Sequence, residues 1–383
     1  MMIETEPLRP TQAVIDLDNL AFNLHSSRNF IGGEIGCMAV VKADAYGHGA
    51  VACARRLEAE GVNWFAVALA EEGIELREAG IKLPILCLGG CLPGQAETFF
   101  AYDLTPVVFN LEAAASISNA ALNAGRTARV HIKIDTGMGR IGVSHSDAAA
   151  FADRMARLPN LYVEGLMTHF ASADDLAQAD FTALQTSRFY DAIEAFAEKG
   201  LRPDIVDLAN SPGAIAHAGS RGNMVRLGGI LYGLGEDVLP AQTEKPELRP
   251  VMSVKTRVVQ INPIMAGETV GYGRTHTLGR DSLIGALPIG YSDGYRRTLS
   301  NKARVIVNGS YAPVVGRISM DWTLIDLTDS SGTKLGDEVV LLGSQADLDV
   351  TAGELARLAD TISYEITCGI SSRVRREFST GRA

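Results

Sequence analysis

The chain has no uninterrupted hydrophobic stretch of the ~20 residues needed to cross a bilayer. Its opening stretch, residues 1–10, is polar and carries acids, which is unlike a secretory signal, so a cytoplasmic protein without a membrane anchor is expected. Basic charge is in deficit: 35 Lys and Arg stand against 45 Asp and Glu, for a net charge of −10. That balance argues against general nucleic-acid binding and against attraction to anionic membranes. The 5 cysteines (Cys37, Cys53, Cys87, Cys91 and Cys368) are odd in number and include no Cys-x-x-Cys pair. A disulfide framework and a structural zinc site are therefore not expected, and buried reduced thiols are. The 7 histidines show no His-x-x-x-His spacing, so no catalytic metal is expected.

What the chain does have is a large apolar share, 46%, over 383 residues, enough for two globular domains. Up to about residue 230, short apolar runs alternate with longer amphipathic stretches. The runs are Cys37–Val41, Trp64–Ala68, Ile85–Leu88, Thr105–Phe109, Val130–Ile134, Tyr162–Met167, Ile205–Leu208 and Met224–Leu227. Helix-like segments lie between them, among them Phe181–Lys199, with Phe181, Leu184, Phe189, Ile193 and Phe196 at near-helical spacing. Parallel strands need such crossovers, and eight of them fit a (β/α)8 TIM-type barrel over 12–245 better than a Rossmann-like open sheet. After about 245 the punctuation by Pro and Gly and the alternating runs predict a mostly-β domain, 246–383, with 1–11 as a candidate addition. One late helix is expected at Thr351–Thr361, with Thr351 as its N-cap and Glu354 completing a capping box.

Reactive groups in such barrels gather at the C-terminal ends of the strands. Lys42 ends the first run, in Met38-Ala39-Val40-Val41-Lys42-Ala43-Asp44-Ala45-Tyr46-Gly47-His48-Gly49. A half-shielded amine on a rigid strand end can form a Schiff base, and the tyrosine and glycines beyond it could cradle a phosphate. Lysine, tyrosine and flexible backbone in that order point to pyridoxal phosphate; a strand-end lysine snorkelling to solvent is the ordinary alternative. Lys133, Asp135 and Arg140 follow the fifth run, His169 the sixth, Asn210 and Ser211 the seventh, and Arg226 closes the eighth. Ser211 could cap the helix that follows it, or bind phosphate together with the amides of Gly228–Ile230. The segment Gly137-Met138-Gly139-Arg140-Ile141-Gly142 matches G-x-G-x-x-G, but it belongs to the fifth unit, and the acid about 20 residues on, Glu164, lies in mid-strand. A dinucleotide site is disfavoured, and the glycines read better as presenting Arg140 to an anion.

AVVKADAYGHG (39–49), KIDTGMGRIG (133–142), MTHFASAD (167–174), ANSPG (209–213), RLGGILYG (226–233), VGYGRTHT (270–277), GYSDGYRR (290–297), VGRISMDWTLID (315–326) and YEITCGISSRV (364–374) occur in this order. Over essentially its whole length the chain resembles the alanine racemases, pyridoxal phosphate enzymes of fold type III. The resemblance implies that Lys42 carries the coenzyme and serves as one base, and that Tyr272 is the other. In the family this tyrosine comes from the partner subunit, so a homodimer with composite sites is implied. His169 and Arg226 match residues linked beside that tyrosine, and Arg226 matches the arginine facing the pyridine nitrogen. Arginine only donates, so that nitrogen stays unprotonated, which favours reprotonation at Cα over transamination. Tyr46, Ser211, Gly229, Ile230 and Tyr364 match phosphate-binding positions, and Asn210 joins the cofactor set. Arg140 and the Met320 amide match contacts to the substrate carboxylate. Tyr291 and Asp321 match the entrance and rim, and Lys133 matches a lysine often carried as a carbamate. Trp322 stands where a smaller polar residue is expected.

Three other readings compete. A non-catalytic pyridoxal phosphate carrier would lack the β domain and Tyr272. A basic-amino-acid decarboxylase would need a donor cysteine, and Cys368 sits in a racemase-like context instead. Racemisation of serine or another small amino acid is compatible with the sequence, as are both a biosynthetic role supplying D-alanine for peptidoglycan and a catabolic one.

Overall fold

The computed structural model describes residues 9–330 and 332–380. Residues 1–8, offered from sequence as part of the second domain and as unlike a signal, lie outside that range. The chain divides into two compact units, one of residues 20–45 and 50–249, the other of the described residues up to Asn19, Tyr46–Gly49 and the chain from Pro250 onward.

The first unit is built on eight strands: β1 (Gly36–Val40), β2 (Trp64–Val67), β3 (Ile85–Cys87), β4 (Thr105–Val108), β5 (Ala128–Asp135), β6 (Leu161–Met167), β7 (Ile205–Asp207) and β8 (Met224–Leu227). Each pairs in parallel with its neighbours, in the order β4-β3-β2-β1-β8-β7-β6-β5, and a β4–β5 pairing closes the ring. The fold is thus a closed eight-stranded parallel barrel, as the alternating pattern requires. Strands covered on both faces need nearly continuous apolar sequence, and β2, β3 and β4 are buried throughout. Every one of the eight apolar runs becomes a barrel strand.

Helix Ala179–Glu198 shows where local pattern misled. Leu184 is 45% exposed, and the buried stripe is Thr182, Gln185, Phe189, Ala192 and Phe196. The helix is rotated to bury Gln185, whose side-chain amide donates to Thr136 Oγ1 and the His169 carbonyl while its oxygen accepts the Ala171 N–H. Two polar segments after β5 and β6 are tied together by that one amide.

The second unit is mostly antiparallel. Its main sheet runs Ser310–Pro313, Arg304–Val307, Glu338–Gln345, Met252–Arg257, Gln12–Asp16 and Arg375–Ser379, with only the last pair parallel. Gln12–Asp16 therefore departs from a boundary that assigns residue 12 onward to the barrel. Its alternating half-buried pattern suits a sheet with one covered face, and its partners lie more than 200 residues away in sequence, beyond the reach of any local signal. The run Val251–Ile261 breaks into two strands, Met252–Arg257 and Gln260–Ile264, in different sheets. The late helix spans Ala352–Ala359, and Thr351 Oγ1 accepts the Glu354 N–H at 3.0 Å as its N-cap.

Inside the barrel His131 of β5 meets Trp64 of β2, with ring centroids 5.1 Å apart; those strands are not neighbours, so the contact crosses the interior. A Cβ on Gly165 would fall 2.6 Å from His131 Nδ1, so glycine is what lets the ring fit. Burial, with Arg226 adding to it, pushes the His131 pKa down to about 3. The unfolded chain then takes up a proton that the folded chain refuses, so stability present above about pH 6.5 is lost as pH falls toward 3. Urea unfolding at pH 7 and pH 5 is expected to show this acid loss in the native chain. A His131→Gln variant should show a shallower loss by up to one proton, ~1.4 kcal/mol per pH unit; equal slopes would refute it.

Candidate active site

Lys42 lies one residue beyond Val41 at the end of β1, half-buried, where the backbone turns left-handed. Ala43, Asp44, Ala45 and Tyr46 have φ of 52°, 53°, 53° and 54°. Left-handed turns cost L-residues about 1–2 kcal/mol each, so four in a row persist only where other contacts hold them. Three of those contacts are visible. Glu72 Oε1 accepts the Ala43 N–H at 2.6 Å while its Oε2 accepts those of Ala68 and Leu69; the Val41 carbonyl accepts the Ala45 N–H; Asp44 accepts that of Ala50. Nothing in Ala-Asp-Ala-Tyr signals such a turn, and Glu72, which secures it, was not singled out from sequence.

Around the ends of β5 to β8 the unit gathers cations. Lys133 is 5% exposed. Burial first, then Arg226 and Arg140, with Lys42 contributing, push its pKa down to about 8 against the pull of Asp135. Arg226 is buried, and its guanidinium is held from several sides. Nη2 donates to the Thr168 carbonyl at 2.7 Å, to the Leu208 carbonyl and His169 Nδ1 at 3.2 Å; Nη1 donates to the Asp207 carbonyl and contacts the Asp207 carboxylate. His169 is held well below the ordinary imidazole range, by burial first and then by Arg226, Lys133, Arg140 and Lys42. A neutral ring that accepts at Nδ1 must carry its proton on Nε2. So the structure assigns His169 the Nε2–H tautomer, with Arg226 as the cation behind it.

Asn210, not Ser211, caps helix Ser211–Ala216: its Oδ1 accepts the Gly213 N–H at 3.1 Å. Ser211 is released from that duty, and its Oγ accepts the Gly228 N–H at 2.9 Å, keeping its own proton to donate. In the turn Gly229–Tyr232 the backbone donors that bond back begin at Leu231, so the amides of Gly229 and Ile230 are unclaimed by the turn. A hydroxyl and two amides at one end of the barrel are a phosphate-binding arrangement. The glycine loop after β5 is different. Asp135 accepts the N–H groups of Gly137, Met138 and Gly139, so they are not offered to a pyrophosphate, and Arg140 stands exposed at the loop's far side.

The remaining predicted residues belong to the second unit. Tyr46 and Tyr364 meet there with ring centroids 5.3 Å apart. The Tyr291 and Ser292 N–H groups donate to the Ser319 and Met320 carbonyls, which brings Tyr291 beside Met320 and Asp321. A Cβ on Gly290 would fall 2.3 Å from the Ser319 oxygen, so this approach requires glycine. Asp321 pairs with Arg373 at 2.7 Å, and Trp322 is exposed on the same Ser319–Trp322 turn. Tyr272 stands 70% exposed between Gly271 and Gly273, both at positive φ. Among the described residues no His, Cys, Asp and Glu cluster could hold a metal, and no helix is long and apolar enough to cross a membrane. The four cysteines of the first unit are buried, as expected, but Cys368 is exposed.

Comparison with known proteins covers both units. The family models for the alanine racemase N-terminal domain and C-terminal domain match residues 15–236 and 251–378. The alanine racemase of Halothermothrix orenii is 43% identical over 372 residues, 97% of each chain, and that of Geobacter sulfurreducens 43% identical over 375. The solved alanine racemase from D-cycloserine-producing Streptomyces lavendulae superposes with a TM-score of 0.92 at 34% identity over 99% of each chain. That of Clostridium difficile 630 gives 0.91 at 38% identity, over 98% of this chain and 97% of the other. Barrel and β unit together are those of an amino-acid racemase, an isomerase. The chain belongs to the alanine racemase family.

Imidazole 15N spectra of the protein are expected to show His169 as the neutral Nε2–H form from pH 8 down to pH 6. An imidazolium signal at pH 6, lost in a His169→Gln variant, would overturn the assignment.

Proposed function

We propose that this enzyme interconverts L- and D-alanine with pyridoxal phosphate, using Lys42 and Tyr272 as two bases on opposite faces of Cα. The observation that carries the reading is Lys42 on a strained, clamped strand end, within the same electrostatic cluster as Lys133, His169 and Arg226. The residues fit the coenzyme. The Ser211 hydroxyl and the Gly229 and Ile230 amides suit its phosphate, and Arg226 presents a donor that does not lose its proton to its ring nitrogen. Asn210 fixes the backbone of this cradle, and Tyr46 and Tyr364 are proposed phosphate contacts. When bound, the coenzyme supplies the electron sink that acidifies the substrate Cα–H.

Everything else is done by the chain. Lys42 would hold the coenzyme through its amine and move a proton on one face. Arg140 and the Met320 amide bind the substrate carboxylate, while Tyr291 and Asp321 border the entrance. Tyr272, set out on its glycine turn, works the opposite face of a site completed by a second copy of the chain, so the active form is a homodimer. His169 Nε2–H is the donor that would steady the Tyr272 phenolate, with the positive charge lent by Arg226 through a neutral ring. The product serves peptidoglycan synthesis or, in the reverse sense, D-alanine breakdown.

Lys42→Ala and Tyr272→Phe are each expected to lower racemisation by ~10²–10⁴-fold, followed by chiral chromatography from either enantiomer. A Tyr272→Phe enzyme with native kcat in both directions would exclude the two-base scheme; a native enzyme acting only on other amino acids would exclude alanine as the substrate. Lys133 yields a second test. With its pKa pushed down to about 8, far more of its amine is neutral than in an ordinary lysine, and a neutral amine adds CO2, releasing a proton, to give a carbamate that could orient Arg140. Incubation with 13C-bicarbonate should give one carbamate carbon signal, absent in Lys133→Ala; its persistence in that variant would refute the assignment.

A further inference from the structure

Arg226 is a buried cation among cations. Lys133 from β5, Arg140 from the loop after it, and Lys42 beyond β1 all contribute to the same positive field, and His169, pushed toward neutrality by burial first, is pushed further by it. Facing them is one wholly buried carboxylate, Asp207, at the end of β7. Its carboxylate oxygen Oδ1 is in contact with Arg226 Nη1, an ion pair between two buried groups. The carbonyls of Thr168, Asp207 and Leu208 and His169 Nδ1 also engage Nη1 and Nη2, so that among the described residues Nε–H is the donor with no protein acceptor.

We propose that Asp207 is the positioning residue of Arg226: it neutralises the guanidinium and draws Nη1 toward β7, so that Nε–H is the single donor offered to the coenzyme ring. This rests on the functional reading above. The charge matters as much as the direction. A lone guanidinium beside three other cations would be costly to bury and would rotate to share its donors among the available acceptors. Burial pushes the Asp207 pKa up, and Arg226, in contact with its carboxylate, is the one group that opposes that shift. The arginine is charged in either case, whereas the acid depends on it, so the acid acts through the arginine.

The test uses the full-length enzyme loaded with pyridoxal phosphate and follows the pH dependence of the bound coenzyme's visible absorbance, together with thermal unfolding. Asp207→Asn removes the charge and keeps the shape. The uncompensated cation should make the coenzyme lose its proton more readily, moving the absorbance midpoint down by at least about half a pH unit. Asp207→Glu keeps the charge and should titrate within about 0.2 unit of the parent. If Asp207→Asn does not fold, Arg226→Gln with and without Asp207→Asn is compared. Equal midpoints support the proposal, because an acid without its cation is neutral, and a further shift overturns it. Asn and Glu variants that both titrate like the parent, or shift alike, would make Asp207 structural only. A native chain that stays colourless with the coenzyme would sink the functional reading itself, and this inference with it.

Discussion

Burying a guanidinium at the end of a barrel strand is the constraint around which the first unit is arranged. Arg226 loses its water and must find replacements, and it takes them from three backbone carbonyls, one imidazole and one carboxylate. Each partner is thereby committed. His169 has its tautomer fixed, and Asp207 has in Arg226 the one group that opposes the upward push of burial on its pKa. The ends of β6, β7 and β8 are pinned to one another by a side chain rather than by sheet bonds alone. A lysine in this position would offer a compact charge and could lose it; a planar, permanently charged fork cannot.

The turn after Lys42 works by the opposite logic. There the backbone is strained, and the cost is met by contacts outside the turn: Glu72 alone accepts three backbone N–H groups from two segments. A strand end held this way cannot relax into an ordinary right-handed helix, so the lysine's origin is set by its surroundings and not by its own preference. One region is over-determined by partners of a single side chain, the other by partners of a short stretch of backbone.

Much of the barrel is legible in sequence because each strand is a short apolar run bounded by polar punctuation, and because a strand buried on both faces leaves no polar interruptions to confuse the pattern. Polar residues at the ends of those runs are legible for the same reason. The features that escaped are those in which distant segments decide the outcome. Gln12–Asp16 finds its neighbours at Met252–Arg257 and Arg375–Ser379. Ala-Asp-Ala-Tyr carries no local signal for a left-handed turn, which its clamps impose. Asp207 sat in plain view as an acid within an apolar run, a signal in itself, but its partner is 19 residues away and reached only through strand pairing. The helix stripe of Ala179–Glu198 was misread because a glutamine was buried for the sake of its amide, which no count of apolar residues anticipates.

The chain contains only 2 tryptophans, and the fold gives one to each unit: Trp64 buried against His131 in the barrel, Trp322 exposed on the Ser319–Trp322 turn. Their emission must differ in colour and in access to soluble quenchers, blue and shielded for one, red and open for the other. The molecule thus carries two intrinsic optical labels, and any event confined to one half will register in one band while the other stays silent.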